Sequence, residues 1–457
     1  MTGPVVSFSG LASGLDTAGI VKSLVAVAKV PATRMGAEQS TLSTQSAKFT
    51  ALSSKLSSLQ TATRAITDPG GATPTTVTSS DVAVLKAATS GTSAIGTYAV
   101  TVGQLAQATR IRGNGVAIRD QAGLFGTGTI HITVGGNDVP IDVTASDTLE
   151  TVAANINSAG AGVAAGLVFD GSKWHLQVTG SQTGESNAVS ITESGTSLGL
   201  DVPANQVQGA QDAMLTVDGL AVTSASNVVS DAVPGVTLQL SAKTAVGASV
   251  QVGVARDPQT LIDSVQGVVD AYNAIELAID AESAKSVTGS PQKASLNGDT
   301  TLRSLQKDLR ATLLATLSGA THGSLGSVGV TFLKDGSLSL DKTKLESAIS
   351  TDPNGVATLF AAKGTTKGLL ATLSDVIDRY VAPSSGRIAT RIDGFTKRSA
   401  DLGKQIDAIN ARADQYQTTL EAQFNAMEKT MSLLNNQGNA LNAILGNLTN
   451  SNSSKKG

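Results

Sequence analysis

The chain has no cysteine, few aromatic residues and little charge. Without cysteine, its 457 residues can form no disulfide staple, thiolate zinc site or cysteine nucleophile. Aromatics make up 3% of the chain, which leaves few flat surfaces for stacking on bases or sugars. Three histidines, at 131, 175 and 322, are too few for a histidine-based metal cage, so no metal and no cofactor is expected. Charged residues are 15%, well below the ~25% of an ordinary soluble domain. The polar surface must therefore be mostly Ser, Thr, Asn, Gln and Gly. A net charge of −3 gives no attraction to a polyanion, so no nucleic-acid partner is expected. Apolar runs such as Leu24-Val25-Ala26-Val27-Ala28 fall far short of the ~20 residues a membrane helix needs, so no membrane is expected either. The first 21 residues carry one charged side chain, Asp16, with no basic cluster before an apolar block, which argues against a cleaved secretion signal. On these features alone the chain reads as cytoplasmic.

Periodicity dominates both ends. Steps of four and three from Ile388 meet Ile392, Phe395, Ser399, Leu402, Ile406, Ile409, Ala413, Tyr416 and Leu420, with Ser399 the clearly polar exception. After one extra residue the walk resumes through Phe424, Met427, Met431, Leu434, Gly438, Leu441, Leu445 and Leu448. That spacing predicts one long helix with an apolar seam that needs a partner, and the extra residue should disturb the supercoil. At the other end Met35, Leu42, Phe49, Leu52, Leu56, Leu59 and Ile66 form a matching stripe, with Glu38, Gln45 and Thr63 as polar exceptions. Before it, Ile20, Leu24 and Val27 share a face of a shorter helix that Pro31 is expected to bend or end at about Val30, with Asp16 or Thr17 as N-cap. From Met431 to Ser454 there is no ionisable side chain, although a free helix usually carries a charged outer face. These ends suit burial in a polymer and are expected to be disordered until assembled, paired with each other, with neighbouring copies, or both.

The middle switches to period two. Tyr98–Val102 and 130–134 alternate, and Gly135-Gly136-Asn137-Asp138 turns the second run into a hairpin over 130–143. Asp147 with Glu150 resembles a capping box for a short helix through Leu149, Val152, Ala153 and Ile156. Strands are predicted at 163–169, 174–178, 189–191, 214–217, 236–240 and 250–254, with Asp218-Gly219 as a tight turn into Ala221-Val222. Helix returns at Asp257-Pro258, again after Asp299 and Asp341, and at Pro353. The predicted fold class is α+β multidomain: an N- and C-terminal α-helical coiled-coil stalk with nested β-rich head domains inserted between its strands of chain. The expected division is a terminal coiled-coil segment (1–40 and 415–457), a helical leg domain with a small hairpin (41–76 and 257–414), a β-rich head (77–118 and 212–256) and an inserted outer head (119–211).

Chemistry is scarce. Gly195-Thr196-Ser197-Leu198-Gly199 fits G-x-S-x-G, but a nucleophile elbow needs a strand before the serine and a helix after it, whereas Asp201-Val202-Pro203 reads as a turn. His131 and His175 lie on predicted strands with no partner motif and read as structural. No phosphate loop, zincin helix or calcium loop is present, so no catalytic residue is expected.

The run from Phe8 through Ser9-Gly10-Leu11-Ala12-Ser13-Gly14-Leu15-Asp16-Thr17, followed by Ile20-Val21 and Leu24, resembles the start of flagellar filament-capping proteins, the FliD or hook-associated protein 2 family. Gly96-Thr97-Tyr98 with Gln104-Leu105-Ala106-Gln107, and Leu215-Thr216-Val217-Asp218-Gly219 with Asn227 and Pro234-Gly235-Val236, resemble its head. Residues 126–191 look like the small module inserted in flagellins and cap proteins. Leu296-Asn297-Gly298-Asp299 resembles its later domain, and Glu421-Ala422-Gln423-Phe424-Asn425 with Asn435-Asn436-Gln437 its terminal helix. The resemblance implies a non-enzymatic protein outside the cell at the tip of the flagellum, exported by the flagellar apparatus without a cleaved signal. It implies a small, pentamer-like ring of this chain that retains exported flagellin and promotes its folding and insertion. The implied partners are flagellin, hook–filament junction proteins, an export chaperone at the C-terminal segment and, in some members, host mucin. Other readings are a different flagellar axial protein (flagellin or a junction protein), a stalked surface adhesin, or a serine hydrolase at Ser197. The expected assembly seam is Ile20, Leu24, Leu42, Phe49, Leu52, Leu56, Leu59, Ile392, Phe395, Leu402, Ile406, Ile409, Tyr416, Leu420, Phe424, Met427, Met431, Leu434, Leu441 and Leu445.

Overall fold

The computed structural model describes residues 14–89, 93–283, 296–361 and 367–453. The Phe8–Ser13 part of the opening motif and the Lys455-Lys456 tail lie outside them, as does the side chain of Leu448. The chain leaves along α1 (Thr17–Thr67) and enters a β module through β1 (Thr75–Ser79), β2 (Leu85–Thr89) and β3 (Gly96–Gln104). A second module follows, with β4 (Arg110–Arg112), β5 (Gly126–Val134), β6 (Asn137–Val143), α2 (Leu149–Ser158), β7 (Val163–Phe169), β8 (Trp174–Gly180), β9 (Val189–Thr196) and β10 (Gln206–Gln208). The chain then completes the first module with β11 (Ala213–Val217), β12 (Leu220–Ser224), β13 (Val228–Val233), β14 (Val236–Leu240) and β15 (Val250–Arg256). It returns through α3 (Pro258–Ser283), α4 (Thr300–Leu313), the hairpin β16 (Val330–Phe332) and β17 (Leu338–Leu340), α5 (Lys342–Thr351), α6 (Pro353–Phe360), α7 (Leu369–Val381) and α8 (Arg387–Ser453).

Each module owns a core. In the helical part, Phe49, Leu56, Leu59 and Ile66 of α1 meet Val265, Val269 and Tyr272 of α3, Leu305 and Leu309 of α4, and Leu373 and Ile377 of α7. The same core takes in Ile388 and Phe395 at the start of α8. The inner β module places a five-stranded sheet, ordered β1-β15-β3-β11-β12, over a three-stranded one, β13-β14-β2, with one shared core. The outer module joins β6-β5-β9 and β10-β4-β8-β7 around α2. The inner module leaves and rejoins the helices through adjacent strands: Asp257 N–H donates to Pro74 O at 2.9 Å, beside the paired β1 and β15. The outer module hangs from the inner by two neighbouring segments, where Gln107 and Gln211 exchange backbone hydrogen bonds of 2.9 and 3.1 Å.

Three local expectations change. Pro31 lies inside α1, which runs on unbroken. A mid-helix proline costs about 3 kcal/mol, and here pairing with α8 holds the helix through it. Ala32 is buried, and Ala28 and Pro31 face Ile409, Ala413 and Tyr416 across a shared gap. The cap of α2 sits one residue later than expected: Thr148 Oγ1 accepts from Thr151 N–H, and Thr148 N–H donates to Thr151 Oγ1. Asp147 instead ties the preceding turn, accepting from Thr144 N–H at 2.7 Å. The first crossing between modules falls at Gln107, not at 118, because Ile111 is buried in the outer core and β4 pairs with β8 there. α7 carries no separate cap signal in the sequence, although Leu369, Leu373, Val376, Ile377 and Tyr380 already form a helical stripe.

Carboxylates lock the outer module's turns. Asp170 accepts from His175 Nε2 and from the Lys173 and Ser172 N–H groups, which hold it far below the usual carboxylate range. Asp138 is lowered chiefly by its bond to His131, and Asp147 chiefly by the Thr144 N–H. Lowered values favour the folded module wherever these groups are ionised. That stabilisation is complete above the ordinary Asp value of ~3.9 and is lost as pH falls through the lower folded values. Trp174, the only tryptophan, sits beside this cluster. An acid titration read by its fluorescence is expected to unfold the module only well below pH ~3.9, and Asp170→Asn should move that transition to higher pH. An unmoved transition would remove Asp170 from the account.

Candidate assembly surface

The sequence stripes meet as an antiparallel pair. Phe49 and Phe395 stack with ring centroids 5.9 Å apart. Further along, Gln39 Nε2 donates to Ser399 O at 3.0 Å, Arg398 pairs with Glu38 at 3.1 Å, and Lys29 with Asp414 at 2.9 Å. At the far end Val21 and Val25 close on Ala413 and Leu420, with Ala28 and Phe424 at the margin. The ion pairs are exposed and each contributes under ~1 kcal/mol, so the apolar contacts carry the pairing. At ~1.5 Å per residue, α1 is about 75 Å long and α8 about 100 Å.

Of the expected seam, Phe49, Leu52, Leu56, Leu59, Phe395, Leu402 and Leu420 are buried, and Leu42, Ile392, Ile406, Ile409 and Phe424 are half-buried. Ile20 and Leu24 stay 39% exposed while Val21 and Val25 take the inner face. One residue turns the helix by about 100°, so the contact stripe runs Val21, Val25, Ala28, Ala32, a four-and-three spacing already present in the sequence. Tyr416, Met427, Met431, Leu434, Leu441 and Leu445 are exposed. From Phe424 to Ser453, α8 runs past the described start of α1. There Leu433, Leu434, Leu441, Ile444 and Leu445 are each 55–59% exposed on a stretch with no ionisable side chain. A cavity of about 450 Å³ opens at the mouth of the pair, lined by Thr17, Val21, Lys22, Glu421 and Phe424.

A second set of contacts anchors the base of α8. Arg391 reaches Asp299, the N-cap of α4, at 3.0 Å, and Arg387 donates to Tyr380 Oη, which in turn donates to Asp308 at 2.7 Å. Burial and then Asp308 push the Tyr380 hydroxyl up to about 12, so it stays a donor. Glu276, 3% exposed, accepts from Tyr272 Oη, Gln306 Nε2 and Arg310 Nη2, each at 2.7 Å. The sequence reading did not single out this cluster, although Tyr272 and Glu276 lie four apart on α3.

The serine motif is a structural loop. β9 ends at Thr196, and Glu193 accepts from Thr196 Oγ1, Leu198 N–H and Leu200 N–H, with both leucines buried. No helix follows Ser197; the chain turns through Pro203–Asn205. Among the described residues no group of three or more metal-ligating side chains gathers, and no helix is long and apolar enough to cross a membrane.

Residues 210–436 match the model of the flagellar hook-associated protein 2 C-terminus, 13–109 that of its N-terminus, and 129–172 the flagellin hook IN motif. Flagellar hook-associated protein 2 of Escherichia coli (strain K12) is 29% identical, with 98% of this chain and 99% of that protein aligned. B-type flagellar hook-associated protein 2 of Pseudomonas aeruginosa PAO1 is 30% identical over 84% of this chain and 86% of that protein. The crystal structure of the D1-D2-D3 domains of the flagellar cap protein FliD from Escherichia coli superposes with a TM-score of 0.64 at 28% identity, covering 76% of this chain and 99% of that one.

Proposed function

The chain belongs to the flagellar hook-associated protein 2 family, and from that premise we propose that it is a structural cap at the distal end of a flagellar filament. One observation carries the reading: α8 pairs with α1 over most of its length and then continues as an uncharged helix with exposed leucines. Such a surface is costly in water and suits insertion among like helices. In this reading the α1–α8 pair and the helical core around it are a leg, and the β modules are the plate. Ile20, Leu24, Tyr416, Met427, Met431, Leu434, Leu441 and Leu445 face neighbouring subunits, while the buried seam residues hold the leg itself together. The terminal segment, leg, head and outer head act as separate units, although α1 and α8 run through positions 40 and 414 without a break. Copies form a small ring that holds exported flagellin beneath it while it folds and inserts. Uncharged leg tips exchange neighbours without breaking ion pairs as each subunit enters. The chain then works outside the cell at the filament tip, and it does no covalent chemistry.

Electron microscopy and sedimentation of the purified protein test this. A closed ring of a few subunits is the expected product. Long filaments would identify a polymerising axial protein instead and overturn the cap reading.

A further inference from the structure

The outer module has an open strand edge whose hydrogen-bonding pattern is self-complementary. β7 ends the sheet β10-β4-β8-β7 and pairs with β8 from Val163↔Gly180 to Phe169↔Trp174. Two contacts establish which of its residues face away from β8. The Asn157 side chain of α2 bonds both the N–H and the C=O of Ala165, each at 2.8 Å, so Ala165 points outward. At the other end Asp170 N–H donates to Lys173 O across the turn, so Phe169, one residue earlier, also points outward. Alternation along an antiparallel ladder puts Leu167 outward between them. Asn157 thus satisfies the edge at Ala165, while Leu167 and Phe169 each direct an N–H and a C=O away from the sheet.

Apart from Asn157 at Ala165 and the Asp170 that follows the strand, the usual protections of an edge are missing here. Residues 160–169 contain no charge and no proline, the devices that commonly blunt such edges. Val168 is 38% and Phe169 49% exposed. The Phe169 ring lies 4.9 Å from Trp174, whose ring is covered by Arg119 at 4.9 Å, so the strand end is held in position.

We propose that this edge takes the same edge of a second copy, β7 against β7, antiparallel about a two-fold axis through Val168. In that register Leu167 of each copy opposes Phe169 of the other. The outward N–H and C=O groups then make four main-chain hydrogen bonds, with Leu–Phe pairs on one face and the two Val168 side chains together on the other. The free groups sit two residues apart on each copy, so each edge supplies the pattern the other lacks, as an isologous contact requires. Asp170 of each copy opposes Gly166 of the other in this register, and its carboxylate is already tied to His175 and to the Ser172 and Lys173 N–H groups. A two-fold contact cannot close a ring alone, so this surface is additional to those that would build a cap and stands independently of that reading.

The absence of cysteine makes the test clean, because Val168→Cys introduces the only thiol. Across the two-fold, positions 168 form a non-hydrogen-bonded pair with Cα atoms ~4.5 Å apart, inside the ~4.4–6.8 Å range of disulfides. Ala164→Cys lies on the same strand face without such a neighbour. With copper-phenanthroline and oxygen as oxidant, full-length V168C is expected to form interchain disulfides at least about tenfold faster than A164C. Adding Phe169→Pro removes an outward N–H and no bond to β8, and should bring the V168C rate down to that of A164C. Equal rates for V168C and A164C would overturn the proposal, as would undiminished crosslinking in V168C/F169P with an unchanged far-UV circular dichroism spectrum. If F169P unfolds the module, the comparison of V168C with A164C decides by itself.

Discussion

Aspartate at both Leu420 and Phe424 is expected to abolish filament elongation while leaving the head folded. Leu420 is 9% exposed and closes on Val21 and Val25, with Phe424 at the edge of the same cluster. Losing the leucine alone forfeits about 2 kcal/mol of apolar burial. A carboxylate at Leu420 must be desolvated against Val21 and Val25, and one at Phe424 joins Glu421 around a cavity whose cation is Lys22, so together they cost more than the leucine gave. The far end of the α1–α8 pair should therefore open. The inner and outer cores share no residue with this cluster, so their unfolding should be unchanged. Complementation of a strain lacking the protein, with filament length measured by electron microscopy, gives the first readout. Hydrogen exchange of the purified variant gives the second. Filaments of normal length on a variant whose residues 17–28 and 413–424 exchange freely would rule out the leg as a working part.

Arg310→Ala is expected to cost the helical module about 3 kcal/mol, the lower end of the range for breaking a buried ion pair. Glu276 is 3% exposed and its two oxygens share Arg310 with Tyr272 and Gln306. Without the guanidinium, a buried carboxylate keeps only neutral donors. The cost stays at the lower end because the Arg310 side chain is 36% exposed and water can enter as it leaves. The arginine also supports the β16–β17 turn: Tyr272 Oη lies 3.3 Å from Gly336 O, and a Cβ at Gly336, where φ is +85°, would fall 2.3 Å from Arg310 Nη2. Adding Glu276→Gln should recover most of the loss, since an amide can be buried there without net charge. By contrast, Lys29→Ala at the exposed pair with Asp414 should cost less than ~1 kcal/mol. Several domains make global unfolding non-two-state, so protection of the α3 and α4 amides is the appropriate measure. An R310A loss no larger than that of K29A would show that Glu276 is stabilised mainly by Tyr272 and Gln306.

Local signals were legible wherever one residue type satisfies one geometry. Gly135-Gly136 turns β5 into β6 with both residues at positive φ, and Asp218-Gly219 does the same between β11 and β12. Asp16, Asp299 and Asp341 cap the helices expected of them through their side-chain oxygens. The heptad stripes name two helices that must pair. Three readings went astray where neighbours outweigh local preference. Pro31 is carried through by α8, Thr148 displaces Asp147 at the cap because Thr151 can reciprocate, and Ile111 draws the module boundary back to Gln107 by burying in the outer core. The Glu276 cluster was hidden because Tyr272 and Glu276 lie four apart on α3 and Gln306 and Arg310 four apart on α4, and no sequence spacing tells that these two helix faces meet.

Composition and periodicity alone determined that this protein has two long apolar-striped ends with β-rich modules nested between them. Those properties belong to single segments, and a segment's pattern of apolar and turn residues is enough to express them. Which side of each end helix meets the other, and which side is left for a neighbour, was decided only in three dimensions. Val21 and Ile20 are both good apolar residues one position apart, and only the path of α8 past α1 selects the first for burial and leaves the second exposed.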